Sequence, residues 1–159
     1  MRSCQRGLAV VEFAIVATVL FIVLFGVIEF GRALFVANAL AEGTRRGARV
    51  AAICPVGDPR PAQVAIFADG NGVSGIAPNL FTTHVVVSYL DQAGTVLADP
   101  MASYASINYV RVRIVGYTQQ LLIPFAIPSF LMPQFSATLP IESLGYSPTQ
   151  QAFLPCAAV

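Results

Sequence analysis

Residues 8–28 read LAVVEFAIVATVLFIVLFGVI, 21 residues of which only Glu12 is charged. As an α-helix rising about 1.5 Å per residue, this stretch covers about 31 Å, the thickness of a bilayer's hydrocarbon core. It is rich in Val, Ile, Leu and Phe and has no proline to interrupt it. Arg2 and Arg6 precede it, and Glu29 and Arg32 follow. Basic residues on the leading flank favour a cytoplasmic N-terminus, so the rest of the chain is expected on the far side of the membrane.

Composition agrees with a membrane segment joined to one domain. The 159 residues are 56% hydrophobic and 11% charged, far below the ordinary charged share of about 25%. Formal net charge is +1, so no global field favours nucleic acid or an acidic partner. All nine basic residues are arginine.

Three readings compete for the first fifty residues. A cleavable secretory signal would use Ala37-Asn38-Ala39 or Ala39-Leu40-Ala41 as its cut site. Its apolar core would then exceed the usual 7–15 or so residues and contain a carboxylate. A plain anchor explains length and orientation but not Glu12, because a carboxylate at the bilayer centre costs roughly 2.5–3.5 kcal/mol on insertion scales. The third reading uses register. A cut after Gly7 makes Leu8 the new N-terminus, Glu12 the fifth residue and Phe13 the sixth. Such a cut frees an α-amino group whose ordinary pKa lies near 8. Glu12 can neutralise that charge within the chain, at i,i+4, or in a neighbouring subunit.

This register resembles the type IV prepilin signature: a basic leader ending in glycine, then a hydrophobic helix with Glu at position five. Three runs are similar to the TadE-like family of pilin-like proteins from tight-adherence (Tad, type IVc) pilus systems. They are Gly7 to Val16, Phe25-Gly26-Val27-Ile28-Glu29-Phe30-Gly31-Arg32, and Ala41-Glu42-Gly43-Thr44-Arg45-Arg46-Gly47-Ala48-Arg49. Tyr109 to Val115, Pro124-Phe125 and Phe135 to Leu139 resemble it more loosely. The resemblance implies a minor pilin or pseudopilin, since major Tad pilins are much shorter. It implies processing between Gly7 and Leu8 by a prepilin peptidase, and assembly contacts through Glu12 and Phe13. The implied partners are other pilin subunits, inner-membrane assembly machinery and the lipid bilayer, with no cofactor and no nucleic acid. The implied location is the bacterial inner membrane, N-terminus cytoplasmic and C-terminal domain periplasmic, or the cell exterior once assembled. A membrane-anchored periplasmic binding module is the alternative, and it would not need Gly7 or Glu12.

The helical pattern continues past the membrane. Phe30, Leu34, Ala37, Leu40 or Ala41, and Ala48 recur at three- and four-residue steps. Glu42 precedes Arg45, Arg46 and Arg49 on one face, as a solvated stripe or a docking face. Gly43 and Gly47 permit close helix packing. Pro55 ends the pattern. A helix from Leu8 to Ile53 would be about 69 Å long. Beyond it lie a loop-rich segment with a short helix over Ala62–Asp69 and strands over Thr82–Leu90, Thr95–Ala98, Tyr109–Val115 and Phe135–Ser143. A hairpin turn at Gln92-Ala93-Gly94 joins the first two strands. The stretch broken by Pro124, Pro128 and Pro133 carries no assignment. In the third strand Val110, Val112 and Ile114 share one face, and Arg111 and Arg113 the other. The predicted fold is α+β and pilin-like: a long membrane helix whose upper half covers a three- or four-stranded antiparallel sheet. Its parts are a leader (1–7), a span (8–28), the exported half of the helix (29–54) and an exported α+β domain (55–159).

Cys4 leaves with the leader. Cys54 and Cys156 then remain in an oxidising compartment, where a disulfide is expected over two free thiols. Gly70-Asn71-Gly72-Val73-Ser74-Gly75 fits a G-x-G-x-x-G string but lacks the flanking strand and helix of a dinucleotide site. Asp69-x-Asn71 starts like a calcium loop and lacks the later ligands. His84 is the lone histidine, so neither a histidine-rich metal site nor a serine-hydrolase triad is expected. Scattered carboxylates show no acid–base pairing, and no enzymatic activity is expected.

Overall fold

The computed structural model describes residues 4–68, 71–122, 129–154 and 156. Its dominant element is one uninterrupted helix, α1, Cys4–Ile53. After it come α2 (Arg60–Ala65) and the strands β1 (Val85–Leu90), β2 (Tyr109–Ile114), β3 (Thr118–Gln120), β4 (Ser129–Leu131), β5 (Phe135–Pro140), β6 (Tyr146–Ser147) and β7 (Ala152–Phe153). The main sheet is antiparallel in the order β1-β2-β5; β3–β4 and β6–β7 are separate hairpins. The chain is α+β, with the sheet laid on the upper half of α1.

The alternation in β2 sets how the sheet faces. Val110, Val112 and Ile114 are buried, while Arg111 and Arg113 lie on the opposite side. Arg111 sits opposite Thr138 on β5 and donates Nε–H to its hydroxyl at 3.2 Å. Strands run along the helix, so the core divides into two levels. The level at the C-terminal end of α1 contains Ala48, Ala51, Ala52, Tyr89, Ile107, Val110, Val112 and Leu144. The level nearer the apolar span contains Val36, Leu40, Ile66, Ala77, Leu80, Ile114, Tyr117 and Met132.

The buried stripe of α1 only partly follows the apolar recurrence seen in the sequence. It runs through Val36, Leu40, Gly43, Thr44, Gly47, Ala48, Ala51 and Ala52. Phe30 and Leu34 are exposed. Small residues occupy the inner face because α2 crosses α1 closely. A Cβ added to Gly47 would lie 2.7 Å from the Ala65 Cβ and 2.9 Å from the Pro61 carbonyl oxygen. The glycine pair therefore serves packing within the chain.

Element ends also shift, for local reasons. The short helix is Arg60–Ala65, opened by Pro59 and Pro61 and by an Asp58 carboxylate accepting the Arg60 N–H at 2.8 Å. Thr82–His84 is a 3₁₀ turn, so the first strand starts at Val85; His84 Nδ1 accepts the Phe81 N–H at 3.1 Å. Thr95–Ala98 makes one isolated bridge, Leu90 to Val96, because the Asp91 carboxylate takes the Thr95 N–H at 2.8 Å and closes a tight loop. The last long strand stops at Pro140. Past it, the N–H groups of Glu142 and Leu144 both donate to the Ala52 carbonyl, at 3.0 and 3.3 Å. Those bonds, with Ser143 Oγ–H to the Ile53 carbonyl at 3.3 Å, satisfy carbonyls that the helix end leaves free.

Cys54 and Cys156 form a disulfide across a sequence separation of 102, with their Cα atoms 5.2 Å apart. It ties the C-terminal tail to the end of α1. Gly145 (φ +81°) lies against Pro55 there, and a Cβ on it would meet the proline ring at 2.5 Å.

Candidate functional site

From Gly7 to Phe35 the helix touches little else. The apolar window that makes it long and apolar enough to cross a membrane is wholly unburied within the chain. Leu8 and Phe13 are both about three-quarters exposed, at 73% and 74%. Leu8 and Glu12 stand one turn apart on one face, with Phe13 beside them. Among the described residues no ion pair reaches Glu12. Val10, Val11, Ala14, Ile15, Thr18 and Val19 line a shallow apolar groove on this free surface. The Thr18 hydroxyl is satisfied within the helix by the Ala14 carbonyl at 2.7 Å. A Cβ on Gly7 would meet nothing within 4 Å, so packing within the chain does not demand glycine there. The Gly7–Leu8 bond lies inside the helix.

The first charges beyond the span do touch the domain. Glu29 and Arg32 pair one turn apart, and both side chains are largely shielded. Arg32 also donates to the Gln120 carbonyl at the end of β3. Glu29 accepts the Leu122 N–H at 3.3 Å. Among the described residues, Glu29 Oε2 and Arg32 Nε are buried without a partner. From sequence these two residues read only as flanks of the span. Their role as a junction depends on a contact about ninety positions away, between residues 29 and 122, which no local pattern encodes.

Higher on α1, Glu42 pairs with Arg46 at 3.1 Å and with Arg45 at 3.8 Å. The Arg46 hydrogen bond leads the causes that hold the Glu42 carboxyl below its ordinary range, with the Arg45 and Arg49 charges adding to it. The Arg46 guanidinium also lies 5.1 Å over the Phe67 ring. This charged face is therefore partly spent on holding the segment after α2.

At the far end of the domain a cleft of about 430 Å³ is lined by Pro55, Val56, Met101, Tyr104, Leu144 and Phe153. Tyr104 meets Phe153 edge-on at 5.3 Å and donates its hydroxyl to the Leu144 carbonyl at 3.3 Å. Burial raises the Tyr104 hydroxyl pKa. Sequence reasoning missed this cluster, since its members come from the turn after α1, the loops after β1 and β5, and β7, which only the fold brings together.

Asp69 and Gly70 lie outside the described residues, as do Pro124 and Pro128. The rest of the glycine string, residues 71–75, is a turn closed by the Val73–Phe81 bridge. His84 stacks on Phe81 and meets Tyr117 edge-on. Among the described residues no cluster of three His, Cys, Asp or Glu side chains could hold a metal.

A bare apolar helix, continuous with a half that carries a small antiparallel head, defines a membrane-anchorable helix-and-head protein. Residues 7–49 match the family model described as TadE-like protein. The match follows α1 almost from end to end and stops short of the sheet. No curated protein and no solved structure matches the chain.

Proposed function

We propose that the chain is a minor pilin or pseudopilin of a Tad-type pilus, with a structural rather than catalytic role. The observation that carries this reading is the free half of α1. It presents uncovered apolar side chains from Leu8 to Phe35, with one carboxylate five residues after Gly7. A plain anchor has no use for that carboxylate, whose charge makes insertion harder. A helix that packs against other helices does, because Glu12 can neutralise a processed N-terminus. The TadE-like match over the same residues supports it.

In this reading a prepilin peptidase cuts between Gly7 and Leu8 on the cytoplasmic side, after local unwinding of the helix. Glu12 then pairs with the α-amino group of a subunit, and Phe13 packs beside it. The head sits in the periplasm and later on the filament, where it primes assembly or serves adhesion. The distal cleft at Tyr104 and Phe153 favours a second reading: a membrane-anchored binding module that never enters a filament.

N-terminal sequencing of protein purified from its native membrane separates them. A start at Leu8, lost on substitution of Gly7, supports the pilin reading. An intact Met1 overturns it and leaves the anchored module. A start near Glu42 overturns both, because the anchor would be gone. Glu12→Ala should preserve membrane insertion and reduce recovery in sheared filaments.

A further inference from the structure

We propose that the chain just past β3, at Leu122, rests in the interfacial layer of the bilayer, giving the head a second lipid contact beside the helix. Three observations place it there. The span's apolar run ends at Ile28, so the hydrocarbon boundary lies near that residue. The end of β3 is fixed to the next turn of the helix: Arg32 holds the Gln120 carbonyl, and Glu29 holds the Leu122 N–H at 3.3 Å. Leu122 is thus level with Glu29, within about one helical turn of the boundary. It is also 72% exposed, so its side chain is free to meet lipid.

The surface at this height is apolar around the helix as well. Phe30, Leu34 and Phe35 are exposed beyond the first charged residue. They continue the span by about 10 Å, a depth that suits the layer in which amphipathic segments lie, about 5–10 Å of headgroup and acyl boundary. Leu122, bonded to Glu29, lies at the level of that collar. Leu131 is also exposed, but it pairs opposite Thr118, two residues further from the membrane than Gln120. Contact should therefore fade from Leu122 to Leu131. The Glu29–Arg32 pair, largely shielded from water, joins the end of β3 to the helix.

The chain has no tryptophan, which makes a depth measurement direct. Single variants Leu122→Trp, Leu131→Trp, Phe21→Trp and Met101→Trp are made in the full chain and placed in phosphatidylcholine nanodiscs. Some of the lipid is brominated near the headgroup end of its acyl chains, and some near the chain ends. Phe21 lies within the span; Met101 is exposed in a loop at the far end of the head. Expected are a blue shift and loss of emission for Leu122→Trp with shallow bromines, a smaller loss for Leu131→Trp, and none for Met101→Trp. Emission from Leu122→Trp equal to that of Met101→Trp, with Phe21→Trp quenched by deep bromines, would overturn the proposal and leave the span intact. A blue shift without bromine quenching would also overturn it, since protein, such as a second copy, would then cover the site. The inference rests on α1 as a membrane span, and an unquenched Phe21→Trp would remove both.

Discussion

Replacing Gly43 or Gly47 by alanine should loosen the head, whereas the same change at Gly31 should not. In an exposed helix interior Gly→Ala stabilises by about 1 kcal/mol through helix propensity. At Gly31 a new Cβ meets nothing within 4 Å, so that gain should appear undiminished. At Gly47 the new Cβ would lie 2.7 Å from the Ala65 Cβ, against an optimum near 3.5–4.0 Å for carbon pairs. Ala65 has no flexible side chain to move away, so α2 itself must shift. Overpacking of this kind costs about 1–3 kcal/mol; set against the propensity gain, the net loss is about 0–2 kcal/mol. At Gly43 the obstacle is the Ala65 carbonyl itself, with Phe67 Cε2 at 3.2 Å. Backbone cannot yield by a rotamer change, so that variant should fall at or beyond about 2 kcal/mol. Displacing α2 would also withdraw Ile66 from the core level it shares with Val36 and Leu40.

The assay is urea unfolding of the full chain in a mild detergent, with the disulfide intact, followed by near-ultraviolet circular dichroism of the tyrosines. The expected order of midpoints is Gly31→Ala highest, then wild type, Gly47→Ala and Gly43→Ala. Equal midpoints for all three variants would refute the reasoning, because α2 would then not depend on the glycine groove.

Other expectations follow from the same contacts. Replacing Cys54 and Cys156 by alanine opens a loop of separation 102 and should lower head stability by up to about 4.7 kcal/mol in the chain-entropy model; an unchanged unfolding midpoint would contradict it. Burial raises the hydroxyl pKa values of Tyr89, Tyr104 and Tyr117 above the ordinary 10.0. The fold then keeps these protons at pH values where the unfolded chain has lost them. Stability from this source is full below about pH 10 and falls as pH rises beyond it, and Tyr89→Phe should flatten the decline in an alkaline unfolding series. Arg32→Ala leaves Glu29 shielded and unpaired. It should cost about 1–3 kcal/mol and remove hydrogen-exchange protection from the Leu122 amide; retained protection there would count against the junction.

How much of this was legible in sequence depends on the range of the interaction. The span, the continuation of α1 and the two faces of β2 are written in periods of a few residues, and the structure has them. The apolar recurrence past the span shows a helix but not its inner face, which size rather than hydrophobicity decides. Phe30 and Leu34 are large and apolar, yet they are exposed, while glycine and alanine make the close crossing possible. Strand ends were overextended wherever a side chain or a helix terminus took the next backbone group, as Asp91 does at Thr95 and the Ala52 carbonyl does at Glu142 and Leu144. The junction at Glu29 and Arg32 and the aromatic cleft at Tyr104 and Phe153 are products of tertiary contact between distant segments. Candidate assembly residues could be named only through register after Gly7, since among the described residues the helix around them is exposed.

The division of α1 between two environments has a consequence for mutation. Residues 8–28 contribute almost nothing to the core of the head, because their side chains are exposed along the whole run. Substitutions there act through what the membrane or a neighbouring subunit supplies, and head stability should not register them. Substitutions on the inner stripe, Val36 to Ala52, should act in the opposite sense, on the head first and on assembly only through it. Glu29 and Arg32 belong to neither half. They follow the apolar run and bind the end of β3 and Leu122 at once, so a change in either should tilt the head relative to the apolar half of the helix without unfolding either half. In the membrane-anchored reading, the pair sits where the two environments of the helix meet. Its buried, unpartnered Glu29 Oε2 and Arg32 Nε atoms mark the cost of holding charge at that boundary.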